Sequence, residues 1–185
     1  MQNKLNVLHV IPTLKKDGAE VQLAAILNDI NLVKCELFTF DVYKNGDSIL
    51  HDLNKTIVHS SSSINIITLF KLINTNKYDI VHSHLPKADI YVGLIRIFNK
   101  KFKHIISVHA KYGTRTGESK PKYFFSNIFW KKILNQSAGV IAISKNIKTW
   151  LIRDIKIYEQ LISVIHYGIK IKDRKPKLQN ILLSV

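Results

Sequence analysis

Hydrophobic positions along the chain alternate between two spacings. Residues 5–11 form a short apolar run that stops at Pro12, after which Ala19, Leu23, Ile26, Leu27 and Ile30 recur at helical spacing, so strand, loop and helix follow in order. The pattern then repeats. Residues 36–42 and 56–59 predict strands, and Ser63 predicts the cap of a helix whose face is Ile66, Leu69, Phe70 and Ile73. Residues 80–84 predict the next strand, followed after Pro86 by a helix with Ala88, Tyr91, Val92 and Ile95 on one face. Further strands are expected over 104–109, 139–144 and 161–166. Between them fall an aromatic helix over 123–134 and a helix capped by Ser144 that carries Ile147, Trp150 and Leu151.

Strands that read as continuous apolar runs and alternate with amphipathic helices imply a parallel sheet covered on both faces. The expected fold is therefore α/β, a Rossmann-like doubly wound parallel sheet. Ligands of such sheets bind beyond the carboxyl ends of the strands, where Asp17, Gly18, His82, Ser83, His84, His109 and Ser144 collect. The last segment departs from the pattern. Residues 1–169 read as one domain, 170–179 as a charged linker holding Pro176, and 180–185 as the first strand of a second domain.

Composition narrows the partners. The 185 residues are 46% hydrophobic, enough for one sizeable core, and carry a net charge of +15. The excess is uneven: between Arg96 and Lys132 the only acid is Glu118. Such a field favours an anionic partner: nucleic acid, an anionic membrane surface or a phosphorylated substrate. No zinc-finger, RNP-like or helix-turn-helix pattern accompanies the charge, so nucleic acid is not expected. The single cysteine, Cys35, excludes an internal disulfide framework and reads as a buried thiol, compatible with the cytoplasm. No apolar run approaches the roughly 18 residues that span a bilayer.

Several residues carry candidate chemistry. Gly18 and Ala19 precede a helix N-terminus, where free amides and the helix dipole can hold a phosphate. His82 and His84 share one strand face and could supply two metal ligands, but no third is evident in the sequence, so no metal is expected. His109 ends an apolar strand and delivers one titratable group to the mouth of the sheet. Residues 120–132 interleave aromatic residues with lysines, which suits either an interfacial helix on anionic lipid or a core face made of Phe125, Ile128, Phe129 and Ile133.

Six segments in order bear a family resemblance: Val10-Ile-Pro-Thr-Leu with Asp17-Gly-Ala-Glu20, Tyr78-Asp-Ile-Val-His-Ser-His84, Ile106-Ser-Val-His109, Val140-Ile-Ala-Ile-Ser144, Val164-Ile-His-Tyr-Gly-Ile169 and Ile181-Leu-Leu-Ser-Val185. Together they resemble the N-terminal, acceptor-side half of the retaining family 4 glycosyltransferases of GT-B fold. The resemblance implies His109 beside the transferred sugar as the catalytic candidate, Gly18 and Ala19 at the donor phosphate and sugar, and His82, His84 and Ser144 in the acceptor cleft. Tyr167 and Lys170 stand where the family has Asn and Asp, and neither is assigned a role. The implied reaction moves a sugar from a nucleotide-diphosphate sugar to a sugar or lipid-linked acceptor in surface polysaccharide or glycolipid synthesis, with no cofactor. Implied partners are an anionic membrane at the inner face of the cell membrane and a separate chain carrying the C-terminal donor-binding domain. Without that domain little activity is expected. The alternatives are a non-catalytic module that binds an anionic carrier and half of a sugar-nucleotide epimerase.

Overall fold

A computed structural model describes residues 4–42, 47–54, 56–61, 66–112 and 120–168, and the side chains of 120–127 lie outside this description. Seven parallel strands form one sheet in the order β3-β2-β1-β4-β5-β6-β7. They are β1 (Asn6–Ile11), β2 (Lys34–Thr39), β3 (Ile57–Ser60), β4 (Ile80–His84), β5 (Lys103–Val108), β6 (Gly139–Ala142) and β7 (Ile162–Val164). The helices are α1 (Gly18–Asp29), α2 (Ile66–Asn76), α3 (Pro86–Phe98), α4 (Lys120–Gln136) and α5 (Lys145–Trp150). The expected linker and strand at 170–185, and the Ser63 cap, fall outside the described residues.

The distribution of helices follows from the handedness of parallel crossovers. From β1 the chain steps through α1 to β2 on one side, then returns past β1 and runs β4 to β7 in the other direction. A right-handed crossover puts the helix on opposite faces for opposite directions of travel. Hence α1 packs on one face, where Leu23, Ala24 and Leu27 meet Ile11 and Leu37. The other face carries the rest. Leu69, Ile73, Val92 and Ile95 of α2 and α3 cover Leu8, Val10, Phe38 and Val81. Trp130, Ile133 and Leu134 of α4, with Ile147 and Trp150 of α5, cover Ile106, Val108, Val140 and Ala142.

Coverage of the two faces is unequal. Among the described residues the α1 face is open beside that helix, as a groove of about 830 Å³ lined by Val7, His9, Ile80, His82, Ser107 and Tyr167, among others.

The aromatic helix is buried through a different stripe from the one expected. Trp130, Ile133 and Leu134 are buried, whereas Ile128 is 51% and Phe129 37% exposed. The reason is Asp89 of α3, which is fully buried and accepts a hydrogen bond from Trp130 Nε1–H at 2.8 Å, so α4 turns its indole inward. Phe70, expected on the buried face of α2, is 36% exposed. Cys35 packs against the core under α1, and burial pushes its thiol pKa up.

Candidate functional site

The order of strands reverses between β1 and β4, the place where sheets of this kind part their carboxyl-end loops. Strand alternation decides which side chains meet at it. His9 pairs in register with His82 across the junction, and the two-residue period puts His84 on the same face. Ser107 is the register partner of His84 on β5, and His109 follows at that strand's end.

Two hydrogen-bonded series result. His9 Nδ1 and His84 Nε2 lie 3.1 Å apart, and His84 Nδ1 and His109 Nε2 also 3.1 Å. A neutral imidazole has one N–H and one lone pair, so both bonds must run in the same direction along His9, His84 and His109. Beside them, His82 Nε2 is 2.8 Å from Ser107 Oγ, which accepts a hydrogen bond from Tyr167 O–H at 3.2 Å. Burial drives the pKa of His9 and of His109 down to about 4 and depresses those of His82 and His84 well below the usual imidazole range. At neutral pH the site is uncharged. His109 can then donate or accept a hydrogen bond to a hydroxyl at the strand mouth but is not a cation.

The loop after β1 is arranged differently from a bare phosphate cradle. Gly18 opens α1, and its N–H donates to Asp17 Oδ1 at 2.7 Å, while Glu20 is buried and bonds its own backbone amide. Two carboxylates thus sit at the helix end where an anion was expected. Helix geometry leaves the Ala19 amide without an intrahelical acceptor. A Cβ on Gly18 would meet nothing within 4 Å.

Ser144 stands at the end of β6 with its Oγ accepting the Ile147 N–H at 3.2 Å, so the hydroxyl caps α5 as expected. The backbone between β4 and α3 is strained. Leu85 has φ 73° and ψ 146°, a conformation ordinarily left to glycine, and it directly follows His84.

Of the residues singled out in the sequence, His82, His84 and His109 come together, while Gly18 and Ala19 stand at the N-terminus of α1. His9, Ser107 and Tyr167 were not foreseen. The signal for His9 was a polar residue inside the strand run Leu-Asn-Val-Leu-His-Val-Ile, in phase with Val7 and Ile11.

On the opposite face, Ser83 O–H donates to Asp89 Oδ1 at 2.6 Å and its oxygen lies 2.8 Å from His104 Nε2. Burial pushes the Asp89 carboxyl up to about 7 and the His104 imidazole down to about 3.

Comparison with solved structures finds the same fold in proteins of known structure. The Anabaena protein HepE in complex with UDP superposes with a TM-score of 0.67 at 15% identity, over 89% of this chain and 44% of that one. The lipopolysaccharide outer core galactosyltransferase WaaB gives 0.65 at 16% identity, over 91% and 47%. A UDP-N-acetylglucosamine 2-epimerase from Rickettsia bellii gives 0.62 at 12% identity, over 89% and 45%. The chain thus spans less than half the length of each, and identities this low speak for the fold alone. Comparison with curated protein sequences finds no match. The family profile described as Glycosyltransferase Family 4 matches residues 7–173, and since that is most of the chain and includes its switch-point site, the chain belongs to glycosyltransferase family 4.

Proposed function

We propose that this chain is the acceptor-side half of a transferase that moves a sugar from a nucleotide-diphosphate sugar to a glycan or lipid-linked acceptor, in surface polysaccharide or glycolipid synthesis. The observation that carries the reading is the position of His109, at the carboxyl end of β5, hydrogen-bonded to His84 within the matched region. A neutral imidazole held there suits hydrogen bonding to a sugar hydroxyl as charge develops on the leaving diphosphate. The acceptor would enter past His82, His84 and Ser144, and the donor sugar would approach Gly18 and Ala19. The reading invokes no cofactor beyond the sugar nucleotide.

The partner half would supply the basic groups that hold the diphosphate. Without them most donor affinity and transition-state stabilisation is missing, so the 185-residue chain alone should turn over little or no sugar nucleotide. In the complete enzyme, His109→Ala should lower kcat by roughly 10²- to 10³-fold, as loss of one transition-state hydrogen-bond donor does. An unchanged kcat would remove His109 from the chemistry.

The surface supports peripheral attachment to an anionic membrane at the inner face of the cell membrane. Phe98 is 82% and Ile97 57% exposed at the end of α3. Next to them Arg96, Lys100 and Lys132 line a cleft of about 480 Å³ between α3 and α4. Apolar tips set among cations suit insertion at an acidic lipid surface. No helix among the described residues is long and apolar enough to cross a membrane.

A further inference from the structure

We propose that His9, His82 and His84 form a three-imidazole binding site for a divalent ion of the zinc class, reached from the open groove beside α1. The inference goes beyond the transferase reading and does not depend on it.

The geometry supplies both shells of a metal site. One ring nitrogen from each of the three histidines lies within 4.8 Å of the others. His9 Nδ1 and His84 Nε2 are 3.1 Å apart. Two ligands bound at about 2.0–2.1 Å in a tetrahedron lie roughly 3.3 Å from each other, so this pair needs only a few tenths of an ångström of adjustment.

Two of the three remaining nitrogens are already committed in the way a metal-bound imidazole requires. His84 Nδ1 faces His109 Nε2 at 3.1 Å, and donating its proton there leaves the Nε2 lone pair for the ion. His82 Nε2 faces Ser107 Oγ at 2.8 Å, and donating there leaves the Nδ1 lone pair. His9 would carry its proton on Nε2, so a shift of tautomer suffices and no proton need be lost.

Access and ligand type agree. His9 and His82 border the groove, which opens a fourth coordination position to water. Three neutral imidazoles with an open position favour zinc over magnesium or calcium, which require oxygen ligands. The strands fix the three rings independently of any ion, since His9 and His82 are register partners in the sheet interior.

The test titrates the purified 185-residue chain with Zn²⁺ alone, by calorimetry at neutral pH. One equivalent should bind, and His9→Gln or His82→Gln should weaken it by about 100-fold or more. Ser107→Ala, which removes an outer partner, should weaken it by about 10- to 100-fold, and the exposed His51→Gln not at all. Binding that survives both ligand substitutions overturns the proposal, as does absence of binding at micromolar zinc. Should either variant fail to fold, X-ray absorption of the zinc-loaded native chain decides: three imidazole neighbours support the site and fewer overturn it.

Discussion

Asp89 and His104 share the hydroxyl of Ser83, and burial has moved their protonation in opposite directions. The Asp89 pKa is raised, so the stability it contributes is fullest below its unfolded value near 4 and is lost as pH rises toward 7. The His104 pKa is depressed, so its contribution is fullest above about 6.5 and is lost as pH falls. Between those limits the folded pair and the unfolded pair each bind one proton, and the two slopes cancel. Asp89→Asn breaks the balance. It forfeits the bond from Trp130, but its cost in urea unfolding should shrink by about 1.4 kcal/mol for each pH unit between 4 and 7. A cost that stays constant over that range would show that Asp89 ionises normally in the fold. Neither residue was identified from the sequence, because Asp89 lies on a face read as apolar and its partners are distant along the chain. His84 and His109 were legible because each stands at the carboxyl end of an expected strand, where Rossmann-like sheets present their chemistry. His9 was not, since its neighbourhood depends on pairing between strands 73 residues apart.

At the level of elements, the alternation of apolar runs and helical stripes located every strand of the described sheet, with ends displaced by a few residues. The phase of α4 was misread. Periodicity alone favoured Phe125, Ile128, Phe129 and Ile133, but the buried Asp89 carboxyl recruits Trp130 and rotates the stripe. The contact between α3 and α4 is close: a Cβ added at Gly93 would stand 2.7 Å from Ile133 Cγ2 and 2.9 Å from its Cδ1. Gly93→Ala therefore sets an overpacking cost of about 1–3 kcal/mol against a helix-propensity gain of up to about 1 kcal/mol. Net destabilisation is expected, with partial recovery in the double variant Gly93→Ala, Ile133→Ala, which removes all three opposing carbons. A double variant no more stable than the sum of the single changes would mean that α4 moves aside rather than clashing. The uneven coverage of the sheet was also hidden from the sequence, because periodicity reports that a face is apolar and not what covers it.

For the whole molecule, the proposed function has the switch-point histidines hold an acceptor, with the basic cleft between α3 and α4 beside a membrane, while a second domain brings the donor. The membrane contact should be separable from the chemistry. Phe98→Ser removes the most exposed large side chain of α3 and should lower partitioning onto vesicles rich in anionic lipid by roughly tenfold, since burying such a side chain contributes about 1.5–3 kcal/mol. Equal binding by the variant would leave only electrostatic attraction, visible as complete release at high salt. The central claim is tested most directly by measuring release of nucleoside diphosphate from a panel of nucleotide sugars, with a lipid extract as acceptor. The 185-residue chain is assayed alone and then with a nucleotide-binding C-terminal half of the family supplied as a separate chain. The account predicts no turnover by the chain alone, turnover by the two halves together, and its loss in His109→Ala; turnover by the isolated chain, or full activity of the variant pair, would contradict it.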